Sequence, residues 1–316
     1  MISVITPMYN EQACIAYNIQ QIVHTLEDIS GTWELLIVDD GSTDNSLKIC
    51  REAAKKEKRI KIISYKPNRG RGYALRQGFA YAKGDVIITT ESDLSWGADI
   101  IKKLFSSLKK TDADIVIASP HKKGGGFVHV PVFRVFLTTV FNKFFGKAFS
   151  GNLTMLSGMT RAYKRKVIEA LDLNSDGKEI HLEIISKAHA LGFKTAEIPA
   201  ILKWTGGKNK GRKSNFNVIK LTMSHLMLSL SEGPLFLLGS LGALFLLIGI
   251  ISAFYAFHLW LTVSLADHLP LVIFTLIMIS MGIQTLVFSF LAYQNKELRN
   301  EIFRIQSKLL QITKKK

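Results

Sequence analysis

Two hydrophobic rhythms divide this chain. Over the first 120 residues, short apolar runs alternate with apolar positions at helical spacing. Residues 2–6 form a brief apolar strand, and then Ile15, Ile19, Ile22, Leu26 and Ile29 recur as one helix face. The same alternation predicts strands at 34–39 (ELLIVD), 60–65, 85–90 and 114–119. It predicts helices at 42–58, 73–83 and 98–110, with Ser42, Thr43 and Asp44 as polar starters for the first of these. Strands alternating with helices predict an α/β fold, a parallel sheet with helices on both faces.

The second rhythm has no polar face. Residues 233–257 and 269–293 carry no charge, and each run of 25 residues is about 37 Å long as a helix. Roughly 20 apolar residues cross a bilayer, so both are expected to span one. The flanks orient the pair. Residues 203–220 hold six basic residues and no acid, 294–316 hold seven basic and two acidic residues, and the connection at 258–268 has Asp267 but no Lys or Arg. By the positive-inside rule both flanks, and the preceding 230 or so residues, are expected on the cytoplasmic side of the membrane.

Composition adds bounds. The chain has 316 residues, 47% of them hydrophobic and 21% charged, which excludes disordered and low-complexity classes. The net charge is +16, from 41 Lys+Arg against 25 Asp+Glu. The basic residues gather beside the spans, so lipid head groups account for them better than a nucleic-acid partner does. Cys14 and Cys50 form no pair motif, which excludes a disulfide scaffold. The start, MISVITPMYNEQ, lacks the basic region of a signal peptide.

Ligands of such sheets bind beyond the C-terminal ends of the strands. The first strand ends in Thr6-Pro7-Met8-Tyr9-Asn10-Glu11, the second in Asp39-Asp40-Gly41-Ser42, and the strand at 85–90 in Glu91-Ser92-Asp93. Each acid alone reads as an ordinary turn residue. Three strand ends bringing carboxylates to one rim suit a hard divalent cation, and a cation suits a diphosphate.

PMYNE, IVDDGSTD, Asn68-Arg69-Gly70-Arg71-Gly72-Tyr73-Ala74 and Glu91-Ser92-Asp93 together resemble glycosyltransferase family 2 and its GT-A fold. The resemblance covers residues 1–215. With two C-terminal spans the chain is most similar to the polyprenyl-phosphate glycosyltransferases, relatives of dolichyl-phosphate mannose synthase. The resemblance implies that Pro7, Tyr9, Glu11 and Asp39 hold the nucleotide base and ribose. Glu91, Ser92 and Asp93 match the family's D-x-D, with Glu in place of the first Asp, and imply a Mg or Mn site on Asp93 and Glu91. Asn68, Gly70 and Gly72 match an N-x-G-x-G turn. Its glycines either let backbone approach a ligand or simply open a helix.

Residues 127–149 carry seven Phe with Arg134, Lys143 and Lys147, and resemble the family's acceptor segment. Arg134, Thr138 and Asn142 lie on one helix face and are expected to receive a lipid phosphate, Arg134 by forking two of its oxygens. Relatives carry Ser-Arg where this chain has Ser119-Pro120-His121, so His121 or Lys122 is expected to substitute. Residues 157–163 (SGMTRAY) resemble a turn that floors the pocket. Glu179 and Glu183 share a helix face, and one of them is a candidate near the reaction centre. Residues 203–214 resemble a basic loop over the donor diphosphate, with Arg212 and Ser214 as the matching positions. Residues 216–232 read as an interfacial amphipathic helix. After the spans, Leu298, Ile302, Ile305, Leu309 and Ile312 repeat at alternating four and three. That seam belongs to a helix that packs on the catalytic domain or meets its copy in a homo-oligomer.

The function so implied is transfer of a sugar from a UDP- or GDP-sugar to polyprenyl phosphate at a lipid bilayer, with inversion. Two rivals stand beside it. One is a glycosyltransferase acting on a lipid or lipid-linked hydroxyl, which needs a general base such as Glu179 or Glu183. The other is a membrane-anchored scaffold without turnover.

Overall fold

The computed structural model describes residues 1–29, 31–131, 135, 153–203, 234–262 and 268–313. They fall into two compact units. One comprises Met1–Asn215 with Phe303–Lys316, and the other Phe216–Ile302.

In the first unit, strands β1 (Ile2–Met8), β2 (Trp33–Asp39), β3 (Ile60–Ser64) and β4 (Val86–Thr89) alternate with helices α1 (Ile15–Glu27), α2 (Ser46–Lys56) and α3 (Arg71–Tyr81). Helix α4 (Ile100–Lys110) leads to β5 (Ile115–Ser119) and a short β6 (Gly126–Val128). There follow β7 (Arg161–Lys164), α5 (Arg165–Ala170), α6 (Ile180–Ala190), β8 (Thr195–Pro199) and β9 (Ile201–Lys203). Among the described residues, one sheet runs β3-β2-β1-β4-β7-β5-β8, and β6 pairs with β9 in a separate ribbon.

The sheet is mixed, not wholly parallel as the alternation predicts. β7 lies antiparallel between β4 and β5, Thr89 opposite Arg161 and Ile117 opposite Arg161. The chain steps outward from β1 to β2 to β3 and then returns to place β4 on the other side of β1. That reversal opens a crevice at the C-terminal ends of β1, β2 and β4. The apolar runs become strands because helices cover both faces: every residue of β2 is buried. α1 buries Ile15, Ile19, Ile22 and Leu26, the stripe expected from their spacing. α3 has almost no apolar stripe and gains its place by close approach. A Cβ at Gly78 would stand 2.4 Å from Cγ2 of Ile5 on β1.

α2 begins at Ser46, four residues later than its polar starters suggest, with Asn45 at the cap position and no side-chain capping bond. Ser42 and Thr43 are engaged by the loop after β1, while the Asp44 carboxylate accepts both from the Gln12 N–H of that loop and from the Ser46 N–H that opens the helix.

The second unit is built on α7 (Pro234–Thr262) and α8 (Leu269–Thr313). Both are long and apolar enough to cross a membrane, with mean hydropathy of 2.2 and 2.3 in their richest stretches. They pack through small residues. A Cβ at Gly249 would meet Cγ1 of Ile279 at 2.7 Å, and one at Gly282 would meet Cγ of Leu246 at 2.7 Å. The Ser252 and Thr275 hydroxyls share a buried hydrogen bond of 2.7 Å. α8 runs on without a break at residue 294, where the sequence reading starts a separate helix. Its last turns, from Phe303, belong to the first unit. There Nε of Arg304 donates to the Ala190 carbonyl at 3.2 Å, and the Lys187 ammonium sits 5.1 Å from the Phe303 ring.

Candidate active site

The rim is assembled by loops that hold one another. The Asn10 N–H donates to Oγ of Ser42 at 3.0 Å, and the Thr43 N–H donates to Oδ1 of Asn10 at 2.8 Å. The Glu11 N–H donates to Oγ of Ser46 at 2.8 Å, which buries Glu11. Asn10 takes φ of +54°, which Asn tolerates better than most residues. Pro7, Tyr9 and Glu11 thereby lie beside the end of β2.

Asp39 ends β2 and is fully buried. Its Oδ1 accepts from the Ser42 N–H at 3.1 Å and its Oδ2 from the Ser64 hydroxyl at 2.9 Å. Asp40 is the residue that the sequence reading missed. Its carboxylate accepts from the Tyr65 hydroxyl (2.9 Å), the Asn68 amide (2.9 Å), the Arg69 N–H (2.8 Å) and the Gly70 N–H (3.0 Å). One buried carboxylate therefore shapes the whole N-x-G-x-G turn. The Asn68 amide and the Gly70 N–H are spent on it. Burial, and after it the charge of Asp40 and the hydrogen bond to it, push the Tyr65 phenol far above its usual range.

The glycines of that turn meet protein. Gly70 stands at φ +100°, and a Cβ there would lie 2.6 Å from the Asp176 carbonyl oxygen. At Gly72 a Cβ would lie 2.4 Å from the Ser175 carbonyl oxygen. The N–H groups of Gly72 and Tyr73, the free end of α3, donate to the Asp176 carbonyl at 2.7 and 3.2 Å. The Asp176 carboxylate is bound by Arg76, and by Arg69 at 3.4 Å. Of the two uses open to these glycines, the described residues display a close chain crossing that opens a helix.

The third acidic loop is held from below. The Asn18 amide donates to the Ser92 carbonyl at 2.7 Å. Oδ1 of Asp93 accepts from the Ser95 N–H (3.0 Å) and hydroxyl (2.6 Å), which leaves Oδ2 without a hydrogen-bond partner among the described residues. Leu94, next to it, has φ of +49°, an uncommon conformation for a leucine. The Lys203 N–H, at the end of β9, donates to the Ser95 carbonyl at 2.8 Å and ties the β6–β9 ribbon to this loop. Glu91 is engaged otherwise: Arg71 stands 3.9 Å from it and the Trp96 indole hydrogen-bonds it. Burial raises its pKa, with Arg71 working against the rise.

Those facts bear on a divalent cation. No group of three or more His, Cys, Asp or Glu side chains that could hold a metal occurs among the described residues. The open Oδ2 of Asp93 fits a cation that takes its remaining ligands from a diphosphate. Glu91 is committed to Arg71 and Trp96.

Behind the rim lies the buried pair of Arg161 and His181. Arg161 donates to the carbonyls of His181 (2.9 Å) and Leu156 (2.6 Å) and hydrogen-bonds Tyr163. Both ring nitrogens of His181 lack partners among the described residues, as do Nε of Arg161 and the hydroxyls of Thr6 and Thr160. Burial, with Arg161, Arg71 and Lys178 nearby, holds the His181 pKa well below its ordinary value, so the ring is neutral at pH 7.

The other predicted residues separate. Glu183 accepts from Lys187 (2.7 Å) and from the N–H groups of Asn174 and Ser175 (2.9 Å each). Burial would raise its pKa, but these bonds bring it below the usual value, which suits a structural anion and not a general base. Glu179 is exposed at the start of α6. His121 is half-buried with its ring 5.0 Å from the Phe127 ring, and burial lowers its pKa, so it carries no charge to a phosphate at pH 7. Arg134, Thr138, Asn142, Arg212 and Ser214, with the interfacial helix at 216–232, lie outside the described residues.

The arrangement is that of a GT-A fold. Residues 3–172 match the model of glycosyl transferase family 2, and the chain belongs to that family. It is 27% identical over 255 residues to the undecaprenyl-phosphate 4-deoxy-4-formamido-L-arabinose transferase of Proteus mirabilis (strain HI4320), covering 80% of this chain and 74% of that one. It is 28% identical over 207 residues to the dolichol-phosphate mannosyltransferase of Pyrococcus furiosus, covering 63% and 55%. Among solved structures it is similar in fold to glucosyl-3-phosphoglycerate synthase of Mycobacterium tuberculosis in complex with Mn2+, uridine diphosphate and glucosyl-3-phosphoglycerate. There the TM-score is 0.55 at 19% identity, covering 74% and 80% of the two chains.

Proposed function

We propose that this chain is a membrane-bound inverting glycosyltransferase that moves a sugar from a nucleoside-diphosphate sugar to a polyprenyl phosphate. The observation that carries the reading is the conjunction of a family 2 rim, with Asp39 and Asp93 at the C-terminal ends of β2 and β4, and two helices long enough to span a membrane. The lipid-phosphate transferases among its relatives support the acceptor.

A phosphate monoester has its second pKa at about 6, so the acceptor is mostly dianionic at pH 7 and needs no strong base. That agrees with Glu183 being spent on Lys187 and the 174–175 backbone. An acceptor oxygen attacks the anomeric carbon as the bond to the nucleoside diphosphate breaks. In this reading Pro7, Tyr9, Glu11 and Asp39 hold base and ribose. Arg134, Thr138 and Asn142 place the acceptor phosphate, and Arg212 and Ser214 close on the donor. Asp93 would hold a Mg or Mn ion, which when bound supplies positive charge to the departing diphosphate. Residues 1–215 form the catalytic domain on the cytoplasmic side.

The test uses purified full-length protein in detergent with Mn2+ or Mg2+, undecaprenyl phosphate and a panel of UDP- and GDP-sugars, reading release of free nucleoside diphosphate. Release is expected only with the phosphorylated lipid, and is expected to fall steeply in Asp93→Asn. Turnover with undecaprenol in place of its phosphate would move the hydroxyl-acceptor reading ahead.

A further inference from the structure

The last part of α8 is amphipathic in an inverted sense. Its apolar seam is bare: Leu298 is 62% exposed, Ile302 46%, Ile305 57%, Leu309 56% and Ile312 59%. The face engaged with the catalytic unit is a different one. There Ser307 is buried, Phe303 meets Lys187, and Arg304 bonds the Ala190 carbonyl. Packing on the domain and meeting a partner are therefore not alternatives for this helix, because they use different faces.

The spacing of the bare face identifies what covers it. With Leu298 at heptad position d, Ile302 falls at a, Ile305 at d, Leu309 at a and Ile312 at d. Phe303, Arg304 and Ser307 then fall at b, c and f, away from the seam. A strict 4-3 repeat fits a helix with the same repeat, which every other copy of this chain carries. A lipid surface asks only for a broad apolar face and imposes no 3.5-residue period.

We propose that residues 298–312 form a parallel coiled coil with the same segment of a second copy. The parallel direction follows from the membrane reading of α7 and α8: copies inserted with one orientation send their C-terminal helices the same way. The flanks allow it. Across a parallel seam Glu301 at g faces Gln306 at e, and Lys308 at g faces Thr313 at e, so no like charges meet. Asn295 falls at the a position one heptad earlier, where a polar residue favours two strands in one register. The seam spans about 22 Å, too short to pair alone in water. Two copies confined to one bilayer pair at a high effective concentration, which offsets that shortness. The inference rests on the membrane reading and not on the chemistry of the site.

The test is disulfide cross-linking of the full chain in native membranes, comparing Ile305→Cys in the seam with Glu297→Cys, an exposed c position, and with the parent chain carrying Cys14 and Cys50. Ile305→Cys is expected to give a covalent dimer at least five-fold more abundantly than the other two. The double variant Leu298→Asp/Ile305→Asp is expected to halve the particle mass measured by light scattering in detergent, with nucleoside-diphosphate release retained. Equal cross-linking at 305 and 297, or a monomeric mass for the parent chain, overturns the coiled coil while leaving the proposed chemistry untouched. A chain found in the soluble fraction overturns the membrane reading and the parallel pairing together.

Discussion

The two ends of the central sheet are built from the same residue types and solve opposite problems. At the N-terminal end every acid is answered. Glu34 accepts from the Ser3 hydroxyl (2.6 Å), the Lys83 N–H (2.7 Å) and the Lys61 ammonium (2.5 Å). Asp114 pairs with Lys164 (3.2 Å) and Lys166 (2.7 Å), and Asp85 with the chain's own amino terminus (2.9 Å). At the C-terminal end, buried groups of Thr6, Thr160, Arg161 and His181 and one oxygen of Asp93 have no hydrogen-bond partner among the described residues, and Asn10, Gly41, Gly70 and Leu94 take positive φ. Buried polar groups are nearly always paired, and strained backbone persists only where the surroundings enforce it. The closed end holds the sheet together, and the other end is the one at which the donor would bind in the proposed function.

The contrast can be broken at either end. The largest effect is expected from Asp93→Asn, with nucleoside-diphosphate release falling on the order of 10²–10³-fold, while the thermal unfolding midpoint stays put. A large fall in the midpoint would move Asp93 to the structural side of the comparison. Gly72→Ala comes next. Its Cβ has to displace the Ser175 and Asp176 backbone, and ~1–3 kcal/mol of stability is expected to go, read from denaturant midpoints. Undiminished stability would mean that the crossing of 175–177 over α3 is not held in solution.

Glu34→Gln probes the closed end, and should cost ~1.5–3 kcal/mol at pH 7 with the donor KM unchanged. Burial acts to raise the Glu34 pKa, yet Lys61, Ser3 and the Lys83 N–H bring it below the usual value. Its contribution is therefore complete above the unfolded-state value of about 4.3 and is lost as pH falls through the lower folded-state pKa. A parent chain whose stability is flat between pH 5 and pH 3 would contradict that. The smallest effect tests the open end. Folded His181 stays neutral while the unfolded chain takes up a proton below about pH 6.5, so stability should decline from pH 7 toward pH 5. His121, also lowered by burial, adds to the same slope. His181→Phe should flatten part of this slope and raise stability at pH 7 by ~1 kcal/mol, because it removes two nitrogens without a partner among the described residues. A loss of stability instead would make His181 a satisfied core residue.

Much of the rim was legible in advance because strand ends in an alternating α/β chain share one edge. Asp39 and the Glu91–Asp93 loop are where such a reading puts them. Asp40 was passed over because one residue in a DD pair looks like a spare capping acid. Only the fold brings Tyr65, Asn68 and Gly70 around it. Asp176 and Asn18 gave no signal at all, since their partners lie 100 and 74 residues away along the chain. Glu183 stands as one of two candidate acids in the sequence, and only the fold brings the Lys187 ammonium and the 174–175 backbone to it.

By itself the sequence determined whatever depends on local periodicity: the alternation of strand and helix over the first 120 residues, two segments long and apolar enough to cross a membrane, the rim acids and the heptad seam after residue 297. Those follow from side chains a few positions apart, whose spacing decides which face they share. Tertiary structure decided the rest. It inserted β7 antiparallel, chose Asp40 over the glycines as organiser of the turn, and engaged the α8 face of Phe303, Arg304 and Ser307 with the domain while leaving the heptad seam exposed. Each of those depends on which distant backbone arrives to satisfy a buried hydrogen bond, and no local pattern carries that information.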